Sequence, residues 1–144
     1  MLKILSSLNL LNRIDVESAF ASTDAAVTGT LAAYDATGKL DFPTAGAKAY
    51  AIWSENRGTT AAGFSPDIDA TGKLTILMGQ LHAVTDQVVA SGISAGDPLS
   101  VSSDGKLAVA SGSEVVVGYA TKIDMDGVEY YGSTFNNCIE FTTV

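Results

Sequence analysis

The side chains that could do chemistry are few and lie far apart in the chain. His82 is the only histidine and Cys138 the only cysteine, so the chain cannot assemble a histidine-paired metal site or an intramolecular disulfide. Cys138 has no basic residue close to it in sequence that would lower the pKa of its thiol. We therefore interpret both residues as structural.

Two acidic patterns are the remaining chemical candidates. Asp35-Ala-Thr-Gly is similar to the Asp-Thr-Gly of aspartic proteases, but the alanine interrupts that motif, so a hairpin turn is favoured. Asp124-Met-Asp-Gly-Val-Glu129 places carboxylates at alternate positions and could offer oxygens to calcium, yet it lacks the longer loop and flanking helices of an EF-hand. We expect no catalytic residue, no metal, no cofactor and no enzymatic activity.

The composition indicates one soluble globular domain. The 144 residues are 47% hydrophobic and 17% charged, which is enough apolar material for a compact core. The net charge is -8, with 8 basic against 16 acidic residues. Because phosphate binding needs an excess of Lys and Arg, nucleic acid and anionic membranes are not expected as partners. No apolar run is long enough to span a membrane.

Recurrent turn signals punctuate the chain and predict β-hairpins. The segment Asp35-Ala-Thr-Gly-Lys-Leu40 recurs unchanged at residues 69–74, and a shortened form, Asp-Gly-Lys-Leu, occupies 104–107. In such turns Asp bonds backbone amides ahead of it and Gly takes a positive φ. Each turn joins two short predicted strands: 30–34 with 40–42, 65–68 with 74–78, and 99–101 with 107–109.

Further strands follow from alternation of apolar side chains. In 47–53 the alternation places Tyr50 and Ile52 on one face and Ala49, Ala51 and Trp53 on the other. A second alternating stretch covers 81–90, residues 115–117 read as a strand buried on both faces, and 127–144 predicts one or two terminal strands. The predicted fold class is mainly β, a small single-domain β-barrel or β-sandwich of hairpins.

The first 21 residues are predicted to be an N-terminal arm or a short helix, and 22–144 a single β domain. Leucines recur at every third position from Leu2 to Leu11, but the intervening Ser and Asn residues are poor helix formers. Two alternatives stay open: the segment packs on its own domain, or it docks on a neighbouring subunit.

The region 92–120 carries a resemblance to a known family. Gly96-Asp97-Pro98-Leu99, then Asp104-Gly105-Lys106, and then Val116-Val117-Gly118-Tyr119-Ala120 resemble the pattern of tailed-phage head decoration (capsid cement) proteins. In that family a Gly-Asp-Pro turn opens a hairpin, and a Val-Gly-x-Ala strand closes a small β-barrel. The resemblance implies a homotrimer on the outer capsid surface of the virion, assembled in the host cytoplasm, with the major capsid protein as partner.

Composition supplies candidate contacts for this role, although a place in the core is an equal alternative for each residue. The leucine-rich arm would contact the capsid through Leu2, Ile4, Leu5, Leu8, Leu10 and Leu11. Four aromatic residues would lie at the subunit interface: Trp53, Tyr130, Tyr131 and Phe135. The turn motif comprises Gly96, Asp97, Pro98, Asp104 and Gly105. Deleting residues 1–13 is then expected to leave a folded oligomer that no longer attaches to capsids.

Two other function classes remain open. A carbohydrate- or receptor-binding β module of a virion or cell surface would use Trp53, Tyr130 and Tyr131 as a stacking platform, with the loop 55–63 as a recognition edge. A hydrolase subunit is the third class, and it would require a pH-dependent activity that His82→Ala abolishes.

Overall fold

A computed structural model describes residues 1–20, 27–53, 73–89 and 92–144, with the side chains of 8–15 and Trp53 left out. Every regular element in these ranges is a strand: β1 (Leu2–Glu17), β2 (Leu31–Tyr34), β3 (Leu40–Asp41), β4 (Tyr50–Trp53), β5 (Lys73–Thr85), β6 (Pro98–Val101), β7 (Leu107–Val109), β8 (Gly118–Met125), β9 (Val128–Tyr130), β10 (Ser133–Phe135) and β11 (Cys138–Thr143). In the part of the chain so described, no helix could span a membrane.

One large antiparallel sheet contains all strands except the hairpin β9–β10. Its order is β3-β2-β4-β5-β11-β8-β6-β7, with β1 pairing β5 as a branch. The sheet curls into a half-barrel. This confirms the mainly β, single-domain fold class predicted from the sequence. The curl lets apolar side chains from strands distant in sequence meet on the inner face.

Strand β5 is the centre of the sheet. It runs for 13 residues and pairs β1 along its whole length. Near Ile76 and Leu77 it also pairs β4, and from His82 to Thr85 it pairs β11. The sequence predicts two separate strands here, 74–78 and 81–90, whereas the structure has one continuous strand that ends at Thr85. Gly79 and Gln80, which join the two predicted parts, are exposed.

The N-terminal segment is a strand of this sheet, so the expectation of a short helix is wrong for residues 2–17, and of the two alternatives left open the structure has the segment packing on its own domain. β1 pairs β5 from Leu2 to Glu17, with register shifts between Ile4 and Ser6, between Ser7 and Asn9, and between Arg13 and Val16. Each such bulge moves the following side chains to the other face. Among the described side chains, the successive residues Ile4 and Leu5 accordingly pack against different core clusters, and the two-residue period by which a strand is recognised in sequence is interrupted.

The predicted turn chemistry is present at Asp35, which closes the β2–β3 hairpin. Its Oδ1 accepts hydrogen bonds from the backbone N–H of Thr37 at 2.7 Å and of Lys39 at 2.9 Å. Gly38 has φ +84°, a conformation that glycine adopts without strain. These bonds lower the pKa of Asp35, and the largest contribution comes from the Thr37 hydroxyl. The counterpart at 69–74 lies outside the described residues except for its last two positions.

The described apolar side chains form three buried clusters. As the alternation around β4 predicts, neighbouring side chains there face opposite sides and enter two different clusters. Ile52 is buried in a cluster with Leu40, Leu74 and Ile76, and Tyr50 packs against it. Ala49 belongs to the opposite cluster, and Ala51 packs there beside it. The third cluster contains Val84, Met125, Phe135 and Cys138. Strand β5 contributes to all three, so its burial holds the domain together.

Two strand expectations near the C-terminus were wrong. Residues 115–117 do not form a buried strand: Val115 is 43% exposed, and the next strand begins only at Gly118. A continuous apolar run does not distinguish a buried strand from an apolar segment at a surface. The segment 127–144 holds three strands, β9, β10 and β11, rather than one or two.

Candidate functional site

Backbone hydrogen bonds join the Gly96-Asp97-Pro98 turn to Ala120, although the two are distant in sequence. Asp97 folds the turn by accepting the Ser94 N–H on Oδ2 at 2.7 Å, and Gly96 has φ +93°. The Gly96 N–H then donates to the Ala120 carbonyl at 2.8 Å, and the Ala120 N–H donates to the Asp97 carbonyl at 3.0 Å. Pro98 opens β6, which pairs with the start of β8. The Gly-Asp-Pro turn and the Val-Gly-x-Ala segment are therefore one structural unit.

The hairpin tip at Asp104 and Gly105 docks this unit onto β2. The Gly105 carbonyl accepts the Leu31 N–H at 2.8 Å. A Cβ at Gly105 would lie 2.6 Å from the Leu31 carbonyl oxygen, so only glycine permits this approach. Asp104 has a lowered pKa because the Ser102 hydroxyl donates to it, and Lys106 adds to the effect.

The chief polar cluster of the described chain surrounds Glu140, a residue that sequence reasoning did not select. Its Oε2 lies 3.1 Å from Nε2 of His82, and its Oε1 accepts a hydrogen bond from the Tyr130 hydroxyl. Lys122 Nζ is 3.9 Å from Oε1 and is mostly exposed, so solvent weakens that pair. No spacing in the sequence links these residues, because four separate strands supply them.

This cluster fastens the β9–β10 hairpin to the sheet. The hydrogen bond to Glu140, followed by burial, raises the pKa of Tyr130 to about 12. The phenol therefore stays protonated at neutral pH and keeps donating to the carboxylate. The Tyr130 ring also meets Phe135 edge-on, with centroids 5.9 Å apart. The arrangement is suited to holding the hairpin in place, and it contains no nucleophile next to a base.

A hydrolase-like serine pattern, Gly92-Ile-Ser-Ala-Gly96, was missed at the sequence level. A nucleophile elbow needs a sharp turn between a strand and a helix. Ser94 instead begins the exposed turn that leads through Asp97 into strand β6. The imidazole of His82 is bonded to Glu140. The local structure of the serine therefore does not match the elbow.

Two chemical candidates remain, a metal site and the thiol of Cys138. Across residues 1–20, 27–53, 73–89 and 92–144, no group of three or more His, Cys, Asp or Glu side chains is placed to hold a metal. Cys138 is buried, and that burial raises the pKa of its thiol. A buried thiol with a raised pKa is a poor nucleophile.

An apolar cavity of about 110 Å³ opens where β4 and β11 diverge along β5. Its inner wall includes Leu31, Leu77 and Phe141, all of them buried. Two exposed valines are among the other lining residues, Val115 at 43% and Val144 at 62% exposure. We refer to this feature as the β4–β11 cavity. Apolar concavities with exposed apolar edges are typical of binding sites.

The predicted capsid-contact residues occupy β1. Leu2 is 2% exposed and lies in the core of its own chain. Ile4 and Leu5 are partly buried against two different core clusters. Leu8, Leu10 and Leu11 belong to the strand, but their side chains are outside the described set. The Met1 carbonyl accepts the Thr85 hydroxyl at 3.0 Å, so the segment is integrated into the fold.

The four predicted interface aromatics are scattered rather than assembled. Phe135 is fully buried and cannot contact another subunit in this conformation. Tyr130 is partly buried and bonded to Glu140, so its ring is not an open stacking platform. Trp53 lies at the end of β4, with its side chain outside the described set. Tyr131 is 74% exposed and alone among the described members projects a large free surface.

Comparisons with protein-family models, with curated proteins and with solved structures found no match to this chain.

Proposed function

We propose that this chain is a structural virion protein, a decoration (cement) protein that binds the outside of an icosahedral phage head and stabilises it as a homotrimer. The observation that supports this function best is the joining of Gly96-Asp97-Pro98 to Val117–Ala120 through paired backbone hydrogen bonds. The resemblance requires that turn to open a hairpin and that strand to close the barrel.

The surface chemistry agrees with a binding role rather than turnover. Glu140 pairs with Tyr130 and His82, and this cluster of described residues leaves no nucleophile facing a base. A cement protein needs no catalysis, because it stabilises the assembled shell by binding it more tightly than the disassembled subunits. Many equivalent copies then add small contributions at the seams between capsid proteins.

The capsid contact is proposed to lie along the outer side of β1. Strand β1 pairs β5 on one side, and no other described residue forms a ladder with it between Leu2 and Glu17. An edge strand of 16 residues offers backbone groups to a second protein. Leu8, Leu10 and Leu11, whose side chains lie outside the described set, stay the proposed contacts, whereas Leu2 is committed to the core.

The decisive test is sedimentation of the purified protein with heads of the phage that encodes it. We expect saturable co-pelleting with expanded heads at one trimer per three-fold position, and an increase in the temperature at which the decorated heads break open. Unexpanded heads provide the matched control, because the family resemblance implies that binding follows expansion. Absence of binding to expanded heads would refute the proposal.

Deleting residues 1–13 is not a useful version of this experiment. The deletion removes Leu2 from the core and leaves β5 without most of its β1 ladder. We therefore expect an unfolded protein, in contrast to the folded oligomer expected from sequence. Loss of capsid binding by that variant would say nothing about the contact surface.

A further inference from the structure

The tip of the β9–β10 hairpin holds an aromatic residue in an unfavourable backbone conformation. Tyr131 has φ +48° and the following Gly132 has φ +77°. Positive φ at both central residues is what a type I′ turn requires, and such turns favour Asn-Gly. A tyrosine in the left-handed region costs about 1 kcal/mol relative to those residues. The structure itself gains little from this ring, since Tyr131 is 74% exposed.

The hairpin presents this ring rigidly. Tyr130, immediately before the turn, is bonded to Glu140 on β11 and packs edge-on against the buried Phe135. The β9–β10 ladder pairs Tyr130 with Ser133 directly across the turn. Because the backbone beneath the ring is already fixed, a partner that covers Tyr131 has to immobilise only its two side-chain torsions.

The β4–β11 cavity has a size and a charged neighbour that suit such a ring. Its volume of about 110 Å³ is comparable to the ~150 Å³ apolar cavities that admit a benzene ring. Lys48 also lines it and is exposed. On the hairpin, Glu129 is exposed two residues before Tyr131. A ring entering the cavity would therefore bring a carboxylate towards an ammonium group.

The ring and the cavity belong to opposite faces of the sheet, so one chain cannot fill its own cavity. Phe141 lines the cavity, whereas its strand neighbour Glu140 holds Tyr130 at the base of the hairpin. Successive residues of a strand face opposite sides of the sheet. The partners of these two residues on β5 agree, because Ala83 packs in the same core cluster as Phe141 and Val84 in the cluster that contains Phe135. Contact between these two features must join different copies head to tail.

We propose that Tyr131 of one copy inserts into the β4–β11 cavity of the next copy, with Glu129 facing Lys48 across the contact. A heterologous contact of this kind closes into a ring when its rotation permits. The ring size of three rests on the proposed function, whereas the contact itself does not. The contact explains why a tyrosine occupies a turn position suited to asparagine.

The test measures association and stability in the same variants. Tyr131→Asn supplies the preferred type I′ residue, so we expect its urea midpoint to rise while its association, measured by sedimentation velocity, weakens about tenfold or more. Tyr131→Phe keeps the ring and is expected to associate as the wild type does. Tyr119→Ser is the matched control, because Tyr119 is 43% exposed and does not contribute to the described cavity lining.

Two further variants address the receptor side. Ala51→Leu fills the cavity from its wall and should abolish association while the chain stays folded by circular dichroism. Lys48→Glu should weaken association, and adding Glu129→Lys in the same chain should restore it. A monomeric wild type, or full association by Tyr131→Asn, would overturn the proposal, and so would a charge swap that fails to rescue.

Cross-linking locates the contact directly. The native thiol, Cys138, is 1% exposed and does not interfere. Tyr131→Cys combined with Val115→Cys at the cavity edge should form disulfides between copies under mild oxidation. Tyr131→Cys combined with Val109→Cys should not, because Val109 is 36% exposed but does not line the cavity. Equal cross-linking of both pairs would contradict the insertion.

The two proposals fail in distinguishable ways. A wild type that forms the Tyr131-dependent ring but does not bind expanded heads would refute the decoration function and leave the contact standing. If the wild type is monomeric in solution, and the Tyr131→Asn variant binds heads as well as the wild type does, the contact is refuted and the function is left standing.

Discussion

The hydroxyl of Thr143 replaces ladder hydrogen bonds in the middle of β5, and Thr143→Val is expected to destabilise the fold measurably. Strands β4 and β11 pair β5 on either side of a gap. Within it, Thr143 Oγ1 accepts the Leu81 N–H at 2.9 Å and donates to the Gly79 carbonyl at 2.7 Å. Valine retains the shape of threonine but can make neither bond.

The expected cost is about 2 kcal/mol of unfolding free energy. The N–H of the buried Leu81 would lose its partner, at about 1–3 kcal/mol, whereas the carbonyl of the exposed Gly79 can turn to water at about 0.5 kcal/mol or less. For a chain of this size that corresponds to a fall in Tm of roughly 4–8 °C. Urea unfolding followed by circular dichroism measures the free energy, and amide exchange at Leu81 reports the lost bond.

Thr142→Val is the matched control for this substitution. Thr142 is the preceding residue of β11 and is also half-buried. Because valine suits strands at least as well as threonine does, Thr142→Val is expected to change stability by less than about 0.5 kcal/mol. Equal effects of the two substitutions, or unchanged exchange at Leu81, would refute the bridging role of Thr143.

Three further predictions concern close packing and pH. Gly118→Ala places a Cβ 2.3 Å from a carbonyl oxygen of β11, so we expect it to cost about 3 kcal/mol or more in urea unfolding, against about 1 kcal/mol for Gly112→Ala, where space is open. In a spectrophotometric titration the phenol of Tyr130, whose pKa is raised to about 12, should titrate late, and Glu140→Gln should move it back towards the ordinary value. If Tyr130→Phe leaves the late phase in place, the assignment is wrong. Because the pKa of Tyr130 is raised, the stability that its hydrogen bond to Glu140 contributes is complete below about pH 10 and is lost as the pH rises from there towards 12. The pKa of Asp35 is lowered, so its contribution to stability is present at neutral pH and is lost on acidification. The urea midpoint of Asp35→Ala should therefore lie below that of the wild type at neutral pH and converge with it as the pH falls below about 4. A difference that stays constant with pH would contradict this.

The features predicted correctly from the sequence are those that a few neighbouring residues specify. The Asp35 turn needs only a carboxylate, the amides ahead of it and a glycine, all within one hairpin. The two faces of β4 follow from alternation at Ala49, Tyr50 and Ile52, whose side chains do enter opposite clusters. Local chemistry of this kind is visible in a single sequence.

The errors occurred where partners distant in the chain decide the structure. β1 was expected to be an arm or helix because its bulges opposite β5 erase the alternation that marks a strand. Residues 115–117 were expected to be buried, yet Val115 ends at the edge of a cavity. No property of either segment by itself distinguishes these outcomes.

The candidate sites divide in the same way. The turn motif at Gly96-Asp97-Pro98 was selected from sequence because its residue types specify a backbone conformation. Glu140 was not, because its importance lies in meeting Tyr130 and His82 from other strands. The β4–β11 cavity exists only because two strands diverge along β5.

By itself, the sequence determined the mainly β class, the acidic charge and the hairpin turns, since composition, alternation and turn chemistry act over a few residues. Only the tertiary structure decided that β1 belongs to the sheet, that Phe135 is core while Tyr131 is surface, and that Glu140 anchors the last hairpin. The physical reason is that burial and strand pairing depend on which distant segments meet. Those contacts form between residues separated by most of the chain, as Met1 and Thr85 are.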